Sequence, residues 1–375
     1  MSARRGPVVL ALAFAALAAG CSWFGSEKKP APLTEFRAQV TPKIVWSASV
    51  GKSRAYQFSP EAEAGKVYAA AADGTISVIE QDSGKVLVRL DAKQKISSGI
   101  VSDGDRVLIG TLKGEVIALD ASGKPAWSVK LGGELLSPAV VAGKFAIVRT
   151  ADGRLFSLAL ADGKRKWVYQ RQTPALLLRS DTGIIVTSTN VVAGYPGGKL
   201  IALDLDDGKL VWEVTVAQPR GSTELERVAD IAGVPVIDGP RICAVAFQGK
   251  AACFDIQGGN TLWARDVSSS TGLTVDAKNV YISDDQDNVL ALDKGTGASV
   301  WKQDKFARRR LTAPMAVGGN VVVGDSLGYL HVLSPEDGSI IGRVAIDSSR
   351  VQAMVDSKSG LLVQTAGGTL ALVRF

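Results

Sequence analysis

A glycine-centred turn recurs eight times along this chain, at Gly74, Gly114, Gly153, Gly198, Gly249, Asp287, Gly328 and Gly368, at intervals of 40, 39, 45, 51, 38, 41 and 40 residues. Near-constant spacing of this length marks an array in which each unit is one supersecondary element. A second position gives the same count independently: Trp46, Val88, Trp127, Trp167, Trp212, Trp263, Trp301 and Gly342. The two members without tryptophan keep register through a glycine four residues earlier, Gly84 and Gly338. Within a unit, as in Gly114 to Trp127 or Gly198 to Trp212, an alternating strand follows the first turn, then a second glycine turn and a strand ending on tryptophan. With the apolar strands before the first turn, each unit supplies four short strands. The 40 glycines serve turns that need positive φ, a conformation Asp287 adopts at some cost.

Four-stranded units of about 40 residues form either a stacked solenoid or a propeller. The chain ends decide between them. After Gly342 there is room for only three strands, ending Leu370-Ala-Leu-Val-Arg-Phe375, while the first tryptophan strand, Ile44 to Val50, has no unit of its own. Pairing the two closes a ring and removes the open edges that a solenoid must cap. The expected fold is therefore all-β: residues 43–375 form an eight-bladed β-propeller of four-stranded antiparallel blades, closed by the N-terminal strand joining the C-terminal blade.

Ahead of the ring lie two other segments. Arg4, Arg5 and the apolar run Val8 to Ala19 read as a secretory signal over residues 1–20, too short for a permanent span. Leu17-Ala-Ala-Gly-Cys21 resembles the bacterial lipobox, which implies acylation of Cys21 and a membrane anchor without a crossing. Ser22 stands where many bacteria place an inner-membrane retention Asp, so by that rule the lipoprotein travels to the outer membrane with its body in the periplasm. Residues 21–42, polar and proline-containing, read as a flexible tether.

Loss of Arg4 and Arg5 lowers the formal charge from +6 to +4, which is only mildly basic. The one dense basic cluster, Arg308-Arg309-Arg310, lacks interleaved aromatics, which argues against nucleic acid. It reads as a solvated loop, or as a site for an acidic protein or lipid partner. Cys243 and Cys253 fall on successive strands. A two-residue turn would put them on opposite faces and a bulged turn diagonally on one face, so two buried free thiols are expected rather than a disulfide.

The recurring Asp/Asn-Gly-Lys-x-x-Trp element resembles the tryptophan-docking repeat of pyrroloquinoline quinone enzymes, whose propellers also have eight blades. It implies that the six repeat tryptophans are architectural, and it raises a periplasmic dehydrogenase as the competing enzyme reading. Such enzymes hold the quinone with chelated calcium, and many use a Cys-Cys pair; no Cys-Cys occurs here. The acidic turn Asp284 to Asn288 falls in the register of ordinary turns and lacks the Glu of a calcium loop. Gly324-Asp-Ser326-Leu-Gly328 matches a nucleophile elbow in letters but sits between strands, with the single histidine, His331, five residues on and expected to be a half-buried strand residue. With one histidine and no zinc spacing, no catalytic residue, metal or cofactor is assigned, and a binding scaffold is what remains. A cell-wall-binding propeller is a further alternative.

Function on a repeat scaffold collects where the repeat is interrupted. The spacing breaks twice, after Trp167 and after Trp212, in neighbouring units whose connectors should lie side by side on the face of the glycine turns. The first carries Pro174-Ala-Leu-Leu-Leu-Arg179, the second Gly221-Ser-Thr-Glu-Leu-Glu-Arg-Val-Ala-Asp230. An apolar ridge with an Arg beside an acidic segment suits protein binding, unless Leu176 to Leu178 simply begin the inner strand and pack in the core.

Together the lipobox, the eight repeats, Pro-x-Leu-x-Leu-Arg at 174–179, Gly-Ser-Thr-Glu at 221–224, Leu311-Thr and Gly324-Asp-Ser-x-Gly-Tyr-Leu-His331 resemble the BamB family, the lipoprotein subunit of the outer-membrane β-barrel assembly machinery. The resemblance spans essentially the whole chain. It implies a non-enzymatic scaffold of the Bam complex, without cofactor, that binds the POTRA region of BamA and aids nascent outer-membrane proteins. A separate expectation is that exposed sheet edges receive the strands of those clients. The resemblance also implies BamA contact through Leu176, Leu178 and Arg179 and through Asp230, although Ala232 stands where the family has a second Asp.

Overall fold

The structure, a computed structural model, describes residues 29–172, 176 and 183–375. Eight sheets of four antiparallel strands follow one another along the chain. Their first, innermost strands are Glu61–Glu63, Val101–Ser102, Val140–Ala142, Ile184–Val186, Ile231–Asp238, Leu273–Val275, Met315–Val317 and Val351–Ser357, which open blades 1 to 8 around a central axis. Blade 8 is completed by the N-terminal strand: Lys43–Ser49 pairs with Thr369–Arg374, Lys43 opposite Arg374 and Ser49 opposite Thr369. The ring closes as the chain ends require.

Burial explains the strand sequences. The middle strands, such as Asn320–Gly324 and Tyr329–Leu333, are covered on both faces and read as near-continuous apolar runs. Outer strands are covered on one side, so in Leu210–Thr215 only Trp212 is fully inside.

The tryptophans hold neighbouring blades together by one repeated contact. Each indole N–H, which needs a partner once buried, donates to a carbonyl in the next blade: Trp46 to Gln81, Trp127 to Leu160, Trp167 to Leu205, Trp212 to Ile256, Trp263 to Lys294 and Trp301 to Pro335, all at 2.9–3.1 Å. Five of the six rings lie flat against a turn glycine at positive φ; a Cβ at Gly163 would fall 2.6 Å from Trp127, and one at Gly338 2.5 Å from Trp301. The turn at Asp287 has φ 63°, as its place in the register demands.

Blade 7 carries Gly342 in place of the tryptophan, and the reason lies in the segment expected to be a tether. Gln39 and Val40 donate to the Ile341 carbonyl at 2.9 and 3.1 Å, and a Cβ on Gly342 would stand 2.8 Å from the Val40 carbonyl. The incoming chain fills the space an indole occupies elsewhere. Further back, Arg343 donates to Thr34 O at 2.9 Å and lies over the Phe36 ring, while Ala31 and Ala307 are joined at 2.9 Å. From Ala31 to Val40 this segment is laid along the outside of blade 7.

Three expectations are overturned here. Cys243 and Cys253 form a disulfide. The turn between their strands is Phe247-Gln248-Gly249 with Gln248 at φ 49°, which places Cys243 directly opposite Cys253 with Cα atoms 4.1 Å apart. His331 is fully buried, because Asp325 reaches in from the preceding turn to meet its Nε2 at 2.9 Å. Within the basic cluster, Arg309 is buried on the same carboxylate, leaving only Arg308 and Arg310 in solvent.

Candidate functional site

Among the described residues the connectors between blades emerge on the face of the glycine turns, where Ala92, for example, donates to Gly74 O at 3.0 Å. The roots of the two long connectors, at Gly183 and at Asp230, are neighbours on this rim. A Cβ on Gly183 would strike Val234 at 2.3 Å, and Gly197 N–H donates to Asp230 Oδ1 at 3.1 Å, so blades 4 and 5 meet beneath them.

Leu176 is 42% exposed and lies well before the inner strand Ile184–Val186, which removes the core-strand alternative for this residue. Leu178 and Arg179 lie outside the described residues. Asp230 is 5% exposed: it braces the Gly197 turn with its carboxylate, and its carbonyl accepts the Phe247 N–H at 2.8 Å. Ala232 is buried beside it, opposite Val245. Two of the residues read from sequence, Leu176 and Asp230, therefore belong to the two long connectors, with Asp230 at the root of its own, and Ala232 lies in the inner strand that follows.

The crest of the second connector is a residue that sequence reasoning did not single out. Glu226 accepts the backbone N–H groups of Ser222 and Thr223, and Thr223 Oγ1 accepts the Glu226 N–H, closing a capping-box turn. These N–H donors hold the Glu226 carboxyl below its ordinary range. Arg227 Nε ties the turn to Gly221 O at 3.1 Å. The turn is thus rigidified by its own polar groups and lifts Leu225 to 72% exposure, the most exposed large apolar side chain among the described residues. The Thr-x-x-Glu spacing at 223–226 was the available signal.

At the root of the first connector, Tyr195 is sandwiched between Arg149 and Arg171, 5.1 and 5.8 Å from its ring, and Arg171 also meets Glu213 at 2.7 Å. The rim thus combines exposed leucines with a paired Arg171–Glu213 flank, and exposed apolar side chains beside polar ones suit a protein-binding anchor.

The acidic turn and the elbow-like segment are engaged in internal hydrogen bonds. Asp284 accepts Gln286 N, Asn288 N and Asn288 Nδ2, and Asp287 accepts Leu311 N, so the acidic turn spends its carboxylates on its own backbone and its neighbour's. Arg343 Nε donates to His331 Nδ1 at 3.2 Å, which leaves Nε2–H to donate to Asp325, away from Ser326. Burial, helped by Arg343 and Arg309, pushes His331 below its ordinary range and keeps it neutral. At the axis, the connectors surround a cavity of about 520 Å³ lined by Arg350, Gln352, Ser270, Thr271 and Thr312, with no carboxylate among the described residues. Among the described residues no group of three or more His, Cys, Asp or Glu is placed to hold a metal. This donor set does not fit a calcium-chelated quinone.

Ring closure, tryptophan docking and a rim of long, apolar-crested connectors define a propeller of the interaction-scaffold class. Comparison with known proteins gives the family: the chain belongs to the one described as outer membrane protein assembly factor BamB, whose profile matches residues 72–303. It is 39% identical over 375 residues to the outer membrane protein assembly factor BamB of Bordetella pertussis, covering 99% of this chain and 97% of that one. It superimposes on the crystal structure of BamB from Moraxella catarrhalis with TM-score 0.83 at 28% identity, over 89% of this chain and 100% of that one. A quinohemoprotein alcohol dehydrogenase from Comamonas testosteroni, at TM-score 0.68 and 13% identity over 90% of this chain and 78% of that one, shares the fold alone.

Proposed function

We propose that this chain acts in outer-membrane protein assembly as a non-enzymatic scaffold of the Bam complex, docking the rim of blades 4 and 5 on the POTRA region of BamA. Leu176, Leu178 and Arg179 supply the contact from one connector, Leu225 from the other, and Asp230 holds the second connector in place. Acylation at Cys21 keeps the protein on the outer membrane, facing the periplasm. The observation that carries this reading is the meeting of blades 4 and 5 at the roots of the two long connectors, with exposed Leu176 in one and exposed Leu225 in the other. Replacing Leu176, Leu178 and Arg179 together with Ala should abolish co-purification with BamA while the thermal midpoint is unchanged; undiminished co-purification excludes this rim as the contact.

A further inference from the structure

We infer that the connector face at blades 6 and 7 is a docking surface for an anionic phospholipid bilayer, presented to it by the N-terminal segment laid along blade 7. The inference rests on the acylation of Cys21 proposed above.

The first support is the shape of the basic turn. Arg308 and Arg310 both have left-handed backbone, φ 60° and 52°, in a turn closed by Arg309 N to Phe306 O and by Ser326 N to Arg309 O. Left-handed conformations are costly for residues with a Cβ, and two in one turn persist only because the surroundings impose them. What imposes them is Arg309, drawn inward onto Asp325 Oδ2 at 2.8 Å and onto Ala31 O at 2.7 Å. As the middle guanidinium turns in, the flanking two are driven out.

The second support is where the chain leaves the ring. Hydrogen bonds from Ala31 to Val40 pin the segment along blade 7 and end it beside Ala307, on the rim that bears Arg308 and Arg310. Exposed Lys29 lies two residues further out. Eight Cα–Cα steps then link Lys29 to Cys21, a reach of at most about 28 Å, against roughly 75 Å if the whole span from Cys21 to Lys43 were free. An acylated Cys21 would therefore hold this rim close to the bilayer at high effective concentration, where even a weak surface contact is occupied.

Charge completes the match. Among the described residues Lys29, Arg308 and Arg310 have no ion-pair partner, and Arg350 stands beside Arg310. Of the nearby acids, Asp304 is paired with Lys305 at 3.3 Å, while Asp284, Asp285 and Asp287 in the blade 6 turn are held by hydrogen bonds from Asn288, Ser268 and Leu311 and keep their charge, which leaves the blade 7 side as the basic part of this rim. Basic side chains near an anionic membrane surface contribute about fivefold each in partition, lost at high salt.

The test uses the acylated chain in vesicles of phosphatidylethanolamine and phosphatidylglycerol doped with a headgroup-nitroxide lipid. A fluorophore is placed through Leu327→Cys on the connector face or through Glu336→Cys on the opposite face of the same blade. Quenching should be strong at 327 and weak at 336, and the difference should collapse in Arg308→Gln/Arg310→Gln or in 0.5 M salt, about fivefold per residue. Equal quenching at both positions, or a difference insensitive to charge and salt, overturns the proposal. The mass of the N-terminal peptide reports acylation separately. If it is absent, the anchor reading fails, and flotation of the Cys21→Ser chain with the same vesicles decides the surface alone, no salt-sensitive flotation overturning it. Arginine variants that lose a protein partner while the quenching pattern persists would assign the rim to an acidic protein instead.

Discussion

Glu61, on the inner strand of blade 1, shows how a single side chain sets a pH dependence. Burial, with Glu63 adding repulsion, pushes its carboxyl up to about 7. The folded chain thus keeps a proton that the unfolded chain gives up near the ordinary 4.5, so stability is full below that value and is lost as pH rises through 7. Glu61→Gln should stabilise the fold at pH 8, by roughly 1–2 kcal/mol once partial exposure is allowed for, and change little at pH 4, read as a higher thermal midpoint at pH 8 alone. His331 and Asp325 have the opposite sign, since both are held below their ordinary values. In the Glu61→Gln chain, thermal scans should therefore show stability falling as pH drops below the ordinary histidine value of 6.5. Glycines separate two costs in the same way. Gly163 and Gly104 both have positive φ, but only Gly163 faces an indole. Gly104→Ala should cost about 1 kcal/mol, and Gly163→Ala a further 1–3 kcal/mol as Trp127 is displaced, read from denaturant midpoints.

At the scale of elements, the disulfide joins two strands that the Phe247 to Gly249 turn has already paired. Closing a loop of this length stabilises by up to about 3 kcal/mol. Reduction, or the double change Cys243→Ala and Cys253→Ala, should lower the thermal midpoint while leaving the all-β circular dichroism intact. The bond was not legible in the sequence because its geometry turns on one extra residue in the turn, which slides the register by enough to bring the thiols face to face. The blades themselves were legible: turns that need positive φ place glycine at a fixed interval, and a docked indole needs a tryptophan at another. What left no period was any contact spanning unlike elements. Arg309 in a connector, Asp325 in a turn, His331 and Arg343 on strands and Thr34 before the ring form one buried network, yet nothing in their spacing announces it. Gly342 illustrates the same limit. The missing tryptophan was visible, but that residues 39 to 42 occupy its place was not.

Across the whole molecule the ring supplies rigidity and the rim supplies contact, and the two demands can be told apart by residues only a few positions from each other. The spacing located the rim because extra residues interrupt the repeat. It did not rank the residues there, since whether a side chain points inward depends on the neighbouring blade. Asp230 is inward, hydrogen-bonded to Gly197 of blade 4, whereas Leu225 stands on a turn that closes on itself through Glu226 and Arg227. A charge at Leu225 therefore removes apolar contact without disturbing the fold, while removing the Asp230 carboxylate leaves the half-buried Gly197 N–H without that acceptor. Leu225→Asp should weaken capture of the BamA POTRA region by tenfold or more at an unchanged thermal midpoint. Asp230→Ala should instead destabilise the fold, by about 1–3 kcal/mol read from a lower midpoint, and weaken capture only through the displaced connector. Surface capture kinetics and thermal scans on the same two variants check both statements; a Leu225→Asp chain that binds like the parent would mean the second connector is not part of the contact.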